Sequence, residues 1–199
     1  SVPKAQHREL LLGMLCGIIG ALFSRSVHFV TELRTEHMWI VWLLPVAGLL
    51  LVFLYRLRGL HPTDTNGVIV AVREHNEIGF STAPLIFIST VITHLFGGSA
   101  GREGAALQMG GSLGRDFAAL LHHDEKDSHI MVMTGMSAMF AALFGTPVTA
   151  AVFAMEVISV GIIHFSAFVP CLTAGIIASS VAKMLGAPAE FFQLSSPGF

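Results

Sequence analysis

Residues 97–114 read GGSAGREGAALQMGGSLG, with Arg102 and Glu103 side by side in a run built of glycine, alanine and leucine. A charge in apolar company is costly unless a partner or a backbone end compensates it. Gly97, Gly98 and Gly101 let the backbone approach a ligand closely. A helix starting just after Gly101 leaves its first amide N–H groups unpaired, at an end with partial positive charge that suits an anion. Glu103 then falls in the first turn, where its own carboxylate can occupy that anion site. A permeating anion can displace it and protonation can release it, so Glu103 reads as a gate and proton acceptor. The plainer reading is that Glu103 caps its helix while Arg102 pairs with a distant carboxylate. Ionisable residues at membrane depth favour the functional reading.

Composition places the stretch in a membrane. Of 199 residues, 53% are hydrophobic and 12% charged, against roughly 25% charged in soluble domains. Mean hydropathy is +0.72. A net charge of −2 offers no basic surface to nucleic acid and no acidic tail. Cys16 and Cys171 lie in apolar segments and match no metal-ligand spacing, so they read as buried small hydrophobes. No metal or cofactor is implied. The first apolar stretch lacks the pattern of a cleavable signal peptide. The expectation is an all-α, polytopic membrane protein, residues 1–199 forming a single membrane domain.

Along the chain, residues 10–23 with 24–30 offer one span, interrupted by Arg25 near its end. Residues 38–57 offer a second, with Trp39 and Trp42 at one end and Tyr55, Arg56 and Arg58 as interfacial anchors at the other. The positive charges of Lys4, Arg56 and Arg58 give conflicting orientation cues. Residues 63–77 form a short amphipathic piece that Asp64 or Thr65 caps near Asn66. The segments at 84–98 and 104–121 are short and glycine-punctuated; 122–129 read as a polar loop. A helix at 130–144 stops at GTP and restarts at once, with Thr146 as N-cap and Pro147 first. Residues 160–185 are the last long span, and the tail is loop-like. Such tilted, broken and re-entrant helices are tolerated where they line a cavity, and they aim N-termini at an anion near the midplane. Helix starts near Asn66, Gly101 and Pro147 qualify.

The match Gly101-Arg102-Glu103-Gly104 after a glycine–serine stretch resembles the signature of the CLC family of chloride channels and anion–proton antiporters. The block MSAMFAALFGTPVTAAVFAMEV at 136–157 is similar to a second family segment. The resemblance implies a halide transporter, not an enzyme, in which Glu103 is the gating glutamate and chloride or fluoride and protons are the cargo. It implies anion contacts at Gly101, Arg102 and Gly104. The family's first anion-coordinating motif has a degraded counterpart in Thr65-Asn66-Gly67-Val68, with Asn66 where a serine usually stands; its side-chain N–H₂ can also donate. Glu156 matches a helix-terminal glutamate and is a candidate for proton or ion entry. Val157 stands where many family antiporters carry a proton-relaying glutamate, and Ala105 where the family carries proline. These departures resemble the bacterial branch that exchanges fluoride for protons, and also fit an uncoupled channel.

The resemblance covers only the first half of a CLC-type inverted repeat. A second half-repeat, from a longer chain or another chain, is therefore expected to complete the pore, the longer chain being favoured over a half-subunit inactive alone. Family membership further implies a homodimer using 147–160 and 161–185, and a bacterial plasma-membrane location. Other residues have plainer readings. His94 and His164 read as satisfied core histidines, Gln108 and Ser112 as hydrogen-bonding across helices, and the methionines near 136 as packing. The string GGSLG at 110–114 also matches a serine-nucleophile motif, so an intramembrane protease with Ser112 and His164 is a remote rival. Its weakness is that Ser112 falls well inside a helix.

Overall fold

The computed structural model describes residues 2–57, 82–121, 125–158 and 164–187, and every regular element among them is a helix. In order these are α1 (Val2–Glu36), a 3-10 turn (Met38–Leu43), α2 (Leu44–Leu57), α3 (Thr82–Leu95), α4 (Arg102–Leu120), α5 (Glu125–Phe144), α6 (Pro147–Ile158), a second 3-10 turn (Phe165–Ala167) and α7 (Phe168–Met184). Four stretches are long and apolar enough to cross a bilayer: His7–Glu36, Met38–Leu57, Asp127–Phe144 and Phe165–Met184. α3 and α6 are apolar but only 14 and 12 residues long. At ~1.5 Å per residue they reach roughly 20 Å, short of a ~30 Å hydrocarbon core. Long spans therefore enclose broken ones, as the hydropathy pattern implied.

Two boundaries differ from expectation. α1 runs straight through Arg25, an exposed side chain whose Nη1 donates to Leu185 O at 3.3 Å, just beyond α7. α5 begins at Glu125, inside the stretch read as a loop. Asp127 puts a carboxylate in its first turn, where the helix dipole favours it. The restart after α5 is as expected. Pro147 is the first residue of α6, and the N–H of Ala150 bonds to Thr146 O at 2.9 Å.

Packing is set by small residues. Lipid tails supply no hydrophobic drive between helices, so association depends on close van der Waals contact. Gly110 and Gly114 lie four residues apart on α4, against Gly135 of α5. A Cβ on Gly110 would land on Gly135 O, one on Gly114 on Met131 O, and one on Gly135 on Gly110 O. The two backbones touch. Met109, Met136 and Met139 fill the gaps beside this seam and are fully buried, as the packing reading of the methionines required. Cys16 and Cys171 are buried and unbridged. α1 packs on α7 in the same manner, Gly13 against Ala174 and Gly17 against Ala178. α2 stands at the periphery, with Trp42 87% and Leu49 73% exposed, a surface suited to lipid.

α1 also braces α3. Arg34 Nη1 donates to His94 O at 3.0 Å, in the last turn of α3. Terminal carbonyls lack helical partners and carry partial negative charge, so a guanidinium there is doubly favourable.

Gly114→Val is expected to lower unfolding stability in detergent by about 3 kcal/mol or to prevent folding, since backbone cannot move aside as a side chain can. Gly48→Ala, where nothing lies within 4 Å of the new methyl, should leave the melting temperature unchanged or slightly raised. Equal effects of the two would refute the seam. Arg34→Met should cost about 1–2 kcal/mol and raise hydrogen exchange at the C-terminal end of α3 before it does so elsewhere.

Candidate functional site

The site forms where α3 stops and α4 starts. α3 ends in a reciprocal pair of bonds: Gly98 N–H to Thr93 O at 2.8 Å and Gly97 N–H to His94 O at 3.2 Å. This termination places the residue after the cap in the left-handed region, and Gly97 has φ +82°. The methylene stem of Arg34 and the Val41 side chain crowd Gly97, at 3.6 and 3.2 Å from where a Cβ would sit. The chain is thus turned sharply and delivered to Gly101, which caps α4 with extended geometry (φ −70°, ψ 130°) and no side chain to bond the first amides.

Glu103 is exposed and lies in the first turn of α4. Its carboxylate folds back toward the helix end, Oε2 lying 3.0 Å from where a Gly101 Cβ would stand. Gly101 therefore leaves room for the carboxylate beside an end whose N–H groups lack a side-chain cap. Arg102 is half-buried at the first position of the same turn. The structure so brings together Gly101, Arg102, Glu103 and Gly104. Asn66 and Gly67, the expected second contribution to an anion site, lie outside the described residues. Glu156 is half-buried in the last turn of α6, a helix that packs on α5 and α7.

Behind the start of α4 is a cavity of about 220 Å³, lined on the α4 side by Gly101, Gly104 and Gln108. The other walls carry Ser89, Thr90 and Thr93 of α3 and Tyr55 of α2. Tyr55 Oη lies 3.3 Å from Ser89 Oγ. Tyr55, read from the sequence as an interfacial anchor, thus also finds a hydroxyl partner on α3 from the last turns of α2. The sequence reading did not single out the hydroxyls of Ser89, Thr90 and Thr93, although Ser89 and Thr93 lie one turn apart on an apolar helix; the contribution of Arg34 from far along the chain carried no local signal.

Two further expectations are corrected. His164 is exposed, on the non-helical approach to α7, rather than in the core. Ser112 is fully buried within α4, and its Oγ has no hydrogen-bond partner among the described residues. The hydroxyls of α5 are committed elsewhere, Thr134 to Ile130 O and Ser137 to Cys171 O. A sealed mid-helix serine and an exposed histidine do not form a nucleophile and base. His94 does behave as a satisfied histidine: its Nδ1 lies 2.9 Å from Thr90 O, to which it donates.

Residues 61–198 match the family described as voltage gated chloride channel. A chloride/fluoride channel protein of Pseudomonas syringae pv. tomato is 37% identical over 179 residues, covering 88% of this chain and 39% of the relative. An H(+)/Cl(-) exchange transporter ClcA of Cronobacter sakazakii is 29% identical over 165 residues, covering 73% of this chain and 35% of the relative. Among solved structures, that of a CLC-type fluoride/proton antiporter superposes with a TM-score of 0.87 at 30% identity, covering 100% of this chain and 51% of the other. A slow cyanobacterial Cl-/H+ antiporter, at 18% identity and a TM-score of 0.65 over 92% of this chain and 47% of the other, shares the fold. The chain thus spans about two fifths of the curated relatives' length and half of the solved antiporter's. With a family match over more than half of its residues and a helical architecture that agrees with it, this chain belongs to the voltage-gated chloride channel (CLC) family.

Proposed function

We propose that this chain forms half of a halide pore in which Glu103 is both gate and proton acceptor, exchanging the anion for protons. The observation that supports this most is the Glu103 carboxylate folded back toward Gly101, at a helix end without a side-chain cap. Ionised, it competes with a halide for the partial positive charge of that end. Protonated, it loses that attraction and swings away. Gly101, Arg102 and Gly104 supply the anion contacts on this side, and Asn66 and Gly67 supply those of the preceding motif. A second half-repeat completes the pore, consistent with relatives about twice as long. Glu156, at the end of α6, serves proton or ion entry. The protein works in a bacterial plasma membrane as a homodimer, with Val148, Val152 and Phe153 of α6 and Val169 and Ile176 of α7 offering exposed apolar surface for the contact.

Fluoride is the first ion to test. The solved relative at 30% identity is a fluoride/proton antiporter and the one at 37% a chloride/fluoride channel protein, and Asn66, Ala105 and Val157 depart from the commoner chloride pattern. Uncoupled conduction is the second reading, favoured by Val157 and by the word channel in that relative's name.

For the intact protein in liposomes, Glu103→Gln is expected to abolish the dependence of fluoride efflux on pH and to stop proton movement. Ion-selective electrodes for fluoride and chloride, read beside a pH probe, make the measurement. Efflux and pH response both equal to those of the parent would rule Glu103 out as the gate. Proton movement absent from the parent while halide flows would select the uncoupled reading.

A further inference from the structure

We propose that the 3-10 segment Met38–Leu43 is an anchor in the lipid headgroup layer, through which bilayer thickness acts on the turn between α3 and α4. The partner is the lipid itself. α1 ends in exposed Thr35 and Glu36, exposed His37 follows, and the next six residues are Met-Trp-Ile-Val-Trp-Leu. A step from polar to apolar within one residue places the segment at a membrane–water boundary. Tryptophan prefers that layer, because its ring is apolar and its N–H is not. Trp39 and Trp42 are 62% and 87% exposed, and no residue of the segment is buried. The length of the span agrees. At ~2.0 Å per residue in the 3-10 segment and ~1.5 Å in α2, Met38–Leu57 covers roughly 33 Å, against a hydrocarbon core of ~30 Å. Beyond the tryptophans, Val46, Leu49, Val52 and Phe53 continue the exposed apolar surface along α2.

The same end of the span touches the turn that carries the chain to Gly101. Val41 Cγ2 lies 3.2 Å from where a Cβ on Gly97 would sit. Leu44 Cδ1, at the start of α2, lies 3.5 Å from where one on Gly98 would sit. Near the other end of α2, Tyr55 Oη meets Ser89 Oγ at 3.3 Å. α2 thus runs antiparallel to α3 and touches it or its closing turn at both ends, while Ala47 alone among the residues of α2 is buried. A helix held at its ends and exposed between them behaves as a lever. A bilayer thinner or thicker than the span is met by tilting. With Tyr55 tied to α3, the tilt is taken up at Val41 and Leu44, directly against the two glycines of the turn. The anchor stands on these contacts alone. Its effect on transport rests on the gate reading above, since the turn leads to Gly101 and the Glu103 carboxylate beside it.

The test uses the intact protein in liposomes of phosphatidylcholine with monounsaturated chains, from myristoleoyl to erucoyl, with halide efflux read by electrode. Efflux is expected to change about fivefold across the series, the scale of a mismatch of several ångström. Val41→Ala combined with Leu44→Ala removes the contact with the turn and should flatten the change to within about twofold. Leu49→Ala, on the exposed face of α2, should keep the parent's dependence. A second measurement reads the anchor directly, through quenching of tryptophan fluorescence by lipids brominated near the headgroup or near the chain ends. The quenching lost in Trp39→Phe/Trp42→Phe is expected to be larger for bromines near the headgroup. A larger loss for chain-end bromines, or no loss with either lipid, overturns the anchor, since hydrocarbon, protein or bulk water then surrounds the indoles. Efflux that is flat in the parent, or a thickness dependence that persists in Val41→Ala/Leu44→Ala, overturns the coupling and leaves the gate standing. Efflux that still follows pH in Glu103→Gln overturns the gate reading instead.

Discussion

The backbone contact of α4 with α5 is the constraint on which the rest depends. α4 has an apolar but glycine-rich sequence, broken by Arg102, Glu103, Gln108, Arg115 and Asp116, and it does not qualify as a span on hydropathy. Little in its own sequence would hold it in a bilayer. Gly110, Gly114 and Gly135 let its backbone rest on that of α5, trading side-chain volume for dispersion contact along a whole helix face. Held at that distance, α4 can start in mid-structure, with its first amides open toward Glu103. A methyl group on the seam would move the helix start and the carboxylate with it.

α1 has a complementary part. Two of its arginines reach the carbonyl ends of two other helices, half-buried Arg34 at α3 and exposed Arg25 beyond α7. Each guanidinium solves two problems at once: a charge on a membrane helix obtains acceptors, and a helix end obtains donors. The Arg34 contact matters to the site because the turn after α3 carries the chain to Gly101. Anchoring His94 O fixes where that turn begins. The start of α4 is therefore located by a side chain more than sixty residues upstream of Glu103, on a helix remote from it in sequence.

What could be read from residues alone followed from local rules. The helix start at Gly101, the restart at Pro147 and the buried methionines depend on caps, proline and small-residue spacing, all visible within a few positions. The start of α5 at Glu125 was missed because charged residues between apolar runs look like a loop, although carboxylates in a first turn also mark a helix. Ser112 and His164 were misread, and the partner of Tyr55 missed, for another reason. Whether a hydroxyl or imidazole turns inward depends on which helix stands opposite, and that is decided by contacts distant in sequence. Ser89 was available to Tyr55 only because α2 and α3 are neighbours, and Ser112 Oγ is sealed within α4 with no partner among the described residues.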